Sequence, residues 1–210
     1  MSNAQNAETQ ASMTPARALE LLLEGNARFR EARQGNRDLL GQVQETGAGQ
    51  WPFAAVLGCI DSRVPAELVF DQGIGDLFNV RIAGNFANAD ILGSLEFACK
   101  VAGSKLVVVL GHRSCGAIKG ACDGVELGNL TQMLDKLKPA VAAVDDPSDP
   151  ALRTSANKEF VHAVALANVS HAVEAVLSGS EVLREMRAAG EIDVVGAMYD
   201  VETGAVEILS

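Results

Sequence analysis

Lys105-Leu106-Val107-Val108-Val109-Leu110-Gly111-His112-Arg113-Ser114-Cys115 decides the fold. Its first half is an unbroken aliphatic run, the pattern of a strand covered on both faces of a parallel sheet. Its second half carries an imidazole and a thiol three residues apart. A second stretch follows the same plan: Phe53-Ala54-Ala55-Val56-Leu57-Gly58 runs straight into Cys59-Ile60-Asp61-Ser62-Arg63. If both runs are parallel strands of one sheet, Cys59, His112 and Cys115 meet at its carboxyl edge. Open α/β sheets bind their ligands there.

Working outward, strands alternate with helical patterns, the signature of βαβ units. Asp76–Ile82 reads as a strand and Ala89–Ala102 as a helix stopped by Gly103. Residues 129–144 and Ala156–Leu177 carry helical periodicity, and Ser180 opens a further helix that Gly190 ends. Ile192–Met198 is a strand, turned at Val201-Glu202-Thr203-Gly204 into a last short one. Asp145-Asp146-Pro147-Ser148-Asp149-Pro150 breaks the chain as a loop, without dividing it. Upstream, Thr14-Pro15 is a helix cap followed by proline at the first helical position. Leu19, Leu22, Leu23 and Phe29 then mark an apolar face through residue 33. Such a helix packs on the body or reaches across to another subunit. Residues 35–50 are polar and Gly-rich and read as a loop. The expected fold is therefore α/β: a mostly parallel central sheet flanked by helices, an antiparallel edge hairpin at the C-terminus and an N-terminal helical arm. Residues 1–13 are expected as a disordered arm and 14–210 as a single domain.

The 210 residues are 48% hydrophobic but only 4% aromatic, so the core should be Val, Leu, Ile and Ala. A net charge of −10 with no long basic stretch argues against nucleic acid and anionic membrane as partners. No apolar run approaches the length of a membrane span. Met1–Ser12 is polar and lacks the hydrophobic centre of a signal peptide. A cytoplasmic location is expected, short of a leader already removed. Four cysteines at 59, 99, 115 and 122 lack the spacing of a disulfide framework, which leaves metal binding or plain burial.

Two thiols and an imidazole form a catalytic type of zinc set, three protein ligands with a fourth position open to water. The alternative for the same residues is ordinary burial of structural thiols. Such a site must bring bound water from a pKa of ~15.7 towards ~7 to hold hydroxide at neutral pH. Asp61 can accept a hydrogen bond from that hydroxide and aim it. Swung onto the metal, Asp61 becomes a fourth ligand and closes the site; an ion pair with Arg63 opposes this. Away from a metal, Asp61 and Arg63 would be an ordinary surface pair of little worth. Cys99 and Cys122 read as core and as out of reach of the same ion. His162 and His171 read as surface or core residues, with proton shuttling as the alternative.

Cys59-x-Asp61-x-Arg63, with Gly111-His112-x-x-Cys115-Gly116 about 50 residues on, resembles the β-class carbonic anhydrases. Arg81-Ile82-Ala83-Gly84-Asn85, Phe70–Phe78 and Ala89–Phe97 are similar to segments of that family's bacterial members, and the likeness runs from about Thr14 to the C-terminus. The resemblance implies reversible hydration of carbon dioxide to bicarbonate and a proton. It implies one Zn²⁺ per chain on Cys59, His112 and Cys115, with Asp61 and Arg63 as the orienting dyad. By motif position it implies substrate contacts from the Gln50 amide, from apolar Phe78, Ala83 and Phe97, and from the Gly84 backbone. It also implies a homodimer or homotetramer with sites at a dimer interface. Val56 stands where some members carry a tryptophan of a bicarbonate inhibition site, which implies the branch whose zinc position is constitutively open. Ile82 stands where many members have Asn. The competing functions are a CS₂ or COS hydrolase on the same zinc site and a non-catalytic zinc-binding module. A dinucleotide-binding domain is poorly supported, because Gly73-Ile74-Gly75 lacks a third glycine.

Overall fold

The computed structural model describes residues 4–209. Among them, five strands form one sheet: β1 (Ala54–Gly58), β2 (Leu77–Arg81), β3 (Leu106–His112), β4 (Asp193–Tyr199) and β5 (Val206–Leu209). The order is β2-β1-β3-β4-β5, with the first four parallel and β5 antiparallel to β4. This is the expected α/β architecture with its terminal hairpin. β1 and β3 are the central pair that the aliphatic runs demand, and every residue of both is buried.

Ten α-helices accompany the sheet in the described residues. They are α1 (Ala7–Ala11), α2 (Pro15–Arg30), α3 (Leu39–Thr46), α4 (Ala66–Val69), α5 (Ala89–Glu96), α6 (Gly116–Cys122), α7 (Gly128–Asp135), α8 (Lys138–Ala142), α9 (Lys158–Gly179) and α10 (Glu181–Ala188). Strand alternation sends Ala55, Leu57, Val107 and Val109 to one face, where Leu95, Ile118, Val164, Val169 and Leu183 cover them. Ala54, Val56, Leu106, Val108 and Leu110 face the other way, against Ala18 and Leu22 of α2 and Val69 of α4. Period-two strands between two helical layers thus account for both cores.

Several segments differ from the expected elements. The segment expected as a disordered arm contains α1, whose start is closed by a reciprocal Asn6–Thr9 capping box. Its Gln10 is buried and donates to the carbonyls of Pro52 at 2.8 Å and Ala102 at 2.9 Å, tying the helix to the amino edge of the sheet. Met1–Asn3 of that arm lie outside the described residues. The expected loop 35–50 contains α3, capped by Asp38. Its buried Gln42 accepts from the Ile74 N–H at 3.0 Å. Polar composition conceals both helices, because a glutamine amide, not an apolar face, fixes each one. Residues 89–102 form α5 followed by a π-turn, Phe97–Val101, before Gly103 takes φ +86°. The 129–144 segment is two short helices, α7 and α8. α9 is 22 residues, long and apolar enough to cross a membrane by length and composition. Its polar His162, Asn168, Ser170 and His171 interrupt the run that linear inspection looks for. In the fold, Phe160, Val164, Val169 and Val176 of α9 are core residues.

The N-terminal arm helix α2 packs on its own chain. Asn26 donates to the carbonyls of Val69 at 3.0 Å and Gly204 at 2.9 Å, and accepts from the Val206 N–H at 3.0 Å. Beyond its end, buried Asp71 takes a 2.5 Å bond from Arg28 Nε, a further pair with Arg37, and the Gly35 N–H at 3.2 Å. Burial alone would raise its pKa, but Arg28, Arg37 and Gly35 together hold the carboxyl below its usual range. A depressed folded pKa contributes stability above the unfolded value of about 3.9, lost as pH falls below it. Asp71→Ala is expected to lose about 3 kcal/mol at neutral pH. In urea melts, its deficit against wild type should shrink from pH 5 downward; a deficit independent of pH would refute the assignment.

Candidate metal centre

The register sets the site. Gly58 lies beside Leu110 on one side and Arg81 on the other, and His112 lies beside Tyr199. The carboxyl ends of β2, β1, β3 and β4 therefore line one edge. Gly111 lets α9 close onto β3: a Cβ there would stand 2.4 Å from Val169 Cγ2. After His112, Ser114 takes φ +56° and turns the chain so that Cys115 opens α6.

Cys59, His112 and Cys115 are all buried, and their ligating atoms lie within 4.8 Å of one another. Among the described residues theirs is the one such group of His, Cys, Asp or Glu. The two sulfurs are 3.9 Å apart. Tetrahedral zinc with bonds of about 2.3 Å would separate two sulfurs by about 3.8 Å. His112 Nδ1–H donates to the Arg113 carbonyl at 2.9 Å. That bond fixes the tautomer and turns the Nε2 lone pair inward. Nε2 is buried with no hydrogen-bond partner. A buried imidazole acceptor without a donor is costly, and a cation at this point removes the cost. Without a cation, the two thiols compete for one charge. The Cys115 contact holds Cys59 well below the ordinary thiol value, and the same contact together with burial pushes Cys115 up. The donor set thus fits Zn²⁺ in charge, softness and spacing.

Asp61 faces the same space. Its Oδ2 is 3.8 Å from His112 Nε2. Arg63 grips the carboxylate with both prongs, Nε to Oδ1 at 2.9 Å and Nη2 to Oδ2 at 2.7 Å, and adds its backbone N–H at 3.0 Å. Arg63 first, with His112 a lesser contributor, holds Asp61 well below the usual carboxylate range, so it is an acceptor only. Arg63 is half exposed, so the group opens to solvent on that side.

Residues 82–85 close a turn, the Asn85 N–H reaching the Ile82 carbonyl at 3.0 Å. Gly84 occupies its third position at φ +81°, the pattern of a type II turn. This turn presents the Gly84 N–H to Cys59 Sγ at 3.4 Å. A Cβ on Gly84 would stand 2.7 Å from Leu137 Cδ1. Gly84→Ala is therefore expected to destabilise the protein by about 2 kcal/mol. It should also speed loss of zinc to a chelator; melting and zinc release at wild-type values would refute this account.

Other expected site residues are placed differently. Phe78 and Phe97 meet edge to face with ring centroids 6.1 Å apart. They line a groove of about 840 Å³ with Val80, Arg81, Ala89 and Gly93, at the outer edge of β2. Ala83 lies in the turn beside Gly84. Gln50 precedes β1, whose far end carries Cys59; it stands at the opposite end of the sheet from its own chain's thiols. Cys99 is buried, its thiol pushed up to about 12 by that burial. Two further residues surround the site. Arg81 donates to the carbonyls of Cys59 at 2.7 Å and Asp61 at 2.6 Å, pinning the backbone between ligand and carboxylate. Asn168 of α9 donates to the Gly84 carbonyl at 2.8 Å. A lone amide inside an apolar helix was the available signal for Asn168.

A family model described as carbonic anhydrase matches residues 54–206. The chain is 35% identical over 196 residues to carbonic anhydrase 2 of Mycobacterium tuberculosis, covering 90% of each. Among solved structures it resembles the β-carbonic anhydrase CcaA, with a TM-score of 0.70, 26% identity, and coverage of 91% of this chain and 95% of that one. It likewise resembles one of two tetrameric β-carbonic anhydrases from Sordaria macrospora, with a TM-score of 0.67, 26% identity, and coverage of 81% and 90%. With the sheet, the Cys-His-Cys group and the matched span in agreement, the chain belongs to the β-class carbonic anhydrases, a family of lyases.

Proposed function

We propose that this protein catalyses the reversible hydration of carbon dioxide to bicarbonate and a proton, with Zn²⁺ held by Cys59, His112 and Cys115. The observation that carries the reading is Asp61 Oδ2 poised 3.8 Å from the orphaned His112 Nε2 while Arg63 clamps it. A purely structural site would spend a fourth protein ligand there. Zinc, when bound, supplies a Lewis acid that makes water nucleophilic near neutral pH. Asp61 accepts a hydrogen bond from the attacking water and orients it towards the substrate carbon. Arg63 keeps Asp61 from occupying that water's place and sets a positive charge where bicarbonate's negative charge develops. The 82–85 turn, with Ala83, supplies apolar surface beside Cys59 for a linear, uncharged substrate, and the Phe78–Phe97 groove at the outer edge of β2 serves a site completed by a second copy.

The active species is a homo-oligomer in this reading. Gln50 lies at the wrong end of its own sheet to reach its own site, so its amide serves the site of a second copy. The tetrameric Sordaria macrospora neighbour supports assembly. Metal analysis alongside stopped-flow hydration of carbon dioxide across pH tests the proposal. One zinc per chain, with hydration lost on chelation and restored by zinc, is expected. Zinc-loaded protein that hydrates no carbon dioxide would sink the catalytic reading, and sulfide release from COS in that case would redirect it to the hydrolase.

A further inference from the structure

Asn168 is nearly fully buried on α9, in a stretch that is otherwise Val, Ala and Leu. Its neighbour Val169 rides on Gly111, the residue before the ligand His112. This close approach brings the Asn168 amide to the Gly84 carbonyl at 2.8 Å, and the Gly84 N–H in turn meets Cys59 Sγ at 3.4 Å. The two bonds belong to different peptide planes of the same glycine, joined through its φ of +81°.

The orientation of one peptide in this turn decides what it offers the sulfur. Type I and type II turns differ by a flip of the central peptide, here the one between Ala83 and Gly84. In the observed state the N–H of that peptide faces the sulfur. In the flipped state the Ala83 carbonyl would face it instead, an acceptor against a thiolate. That flip leaves the Gly84 carbonyl in place: glycine at φ +81° selects the observed state, and the Asn168 bond to the Gly84 carbonyl holds the turn at its distance from Cys59.

We propose that Asn168 is a positioning residue for the metal ligand Cys59, acting through Gly84. It anchors Gly84 in place so that the Gly84 N–H stays within reach of the Cys59 sulfur. This inference rests on the zinc reading above. Its chemical consequence is electronic as well as steric: a hydrogen bond to a ligating thiolate draws charge from sulfur, and outer partners of this kind tune ligands measurably. A merely structural Asn168 would satisfy the Gly84 carbonyl and affect stability alone.

The test uses the full chain loaded with Zn²⁺, and separately with Co²⁺ as a spectroscopic probe. Asn168→Leu removes the donor while keeping a side chain of comparable bulk, and Asn168→Ser is a second variant should the first fold poorly. Val164→Ala, at a fully buried position one turn earlier on α9, is the packing control. Both Asn168 variants should release zinc to a chelator about tenfold faster than wild type. Their thiolate-to-cobalt charge-transfer band should move to longer wavelength, because the sulfur loses its hydrogen bond. Val164→Ala should lower the melting temperature and leave the band in place. Asn168 variants with unchanged band and release, in a wild type that loads metal normally, overturn this inference alone. So does a Val164→Ala variant that moves the band equally. A wild type that takes up neither metal overturns the zinc reading and this inference with it.

Discussion

Removing the metal, by chelation or by His112→Ala, is expected to abolish hydration while leaving the fold standing. The Lewis acid supplies several kcal/mol of transition-state stabilisation, which is about three powers of ten or more in rate. Nothing else in the group replaces it: Asp61 is an acceptor only, and Arg63 is committed to holding Asp61. The fold survives because its two cores are built from β1 and β3 against α9 and α2, and Cys59 and Cys115 are only two of the many buried residues of one of them. The chain is large enough for those cores to suffice, unlike a zinc finger. Zinc binding still stabilises by mass action, by about 2.7 kcal/mol at a hundredfold excess over its dissociation constant. For a chain of this size, that is a fall in melting temperature of roughly 5–10 °C on chelation. Activity returning with added zinc, together with an unchanged far-ultraviolet spectrum in its absence, is the expected pair of results. Unfolding on chelation would recast the metal as a staple.

Much of this site was legible in the sequence, for a physical reason. A doubly covered parallel strand must be aliphatic throughout, so 53–58 and 105–111 announced themselves. The polar residues straight after each had to sit at the sheet's carboxyl edge. Cys59, Asp61, Arg63, His112 and Cys115 were therefore readable from local pattern and topology together. What stayed hidden depends on long-range backbone contacts. Arg81 and Asn168 act on carbonyl groups, which carry no residue-type signature, and their partners lie 22 and 84 residues away. α1 and α3 escaped notice because Gln10 and Gln42 dock them by side-chain amides, with little apolar periodicity to detect. Gln50 is the opposite case. Motif position matched it to a substrate contact, but only the strand's direction reveals that β1 separates it from its own chain's Cys59.

The dyad gives the second large effect, and a double-mutant cycle reads it. Asp61→Asn keeps the shape but weakens the acceptor that orients water, and hydration should fall about 10²–10⁴-fold with zinc retained. Arg63→Ala should fall at least as far for a different reason. It frees a carboxylate already 3.8 Å from His112 Nε2 to take the fourth position at the metal. Two residues that act as one device give losses that do not multiply. The combined Asp61→Asn, Arg63→Ala protein should therefore be no slower than Arg63→Ala alone, because the carboxylate that closes the site is gone. Stability separates this from an ordinary ion pair. Arg63 is half exposed, and such pairs contribute about 0–1 kcal/mol, so all three variants should melt within a few degrees of wild type. Large kinetic losses with small thermal shifts mark Asp61 and Arg63 as working parts of the site. Losses that multiply, or melting temperatures that fall in step with rate, would reduce the pair to a surface contact that happens to lie beside a metal ligand.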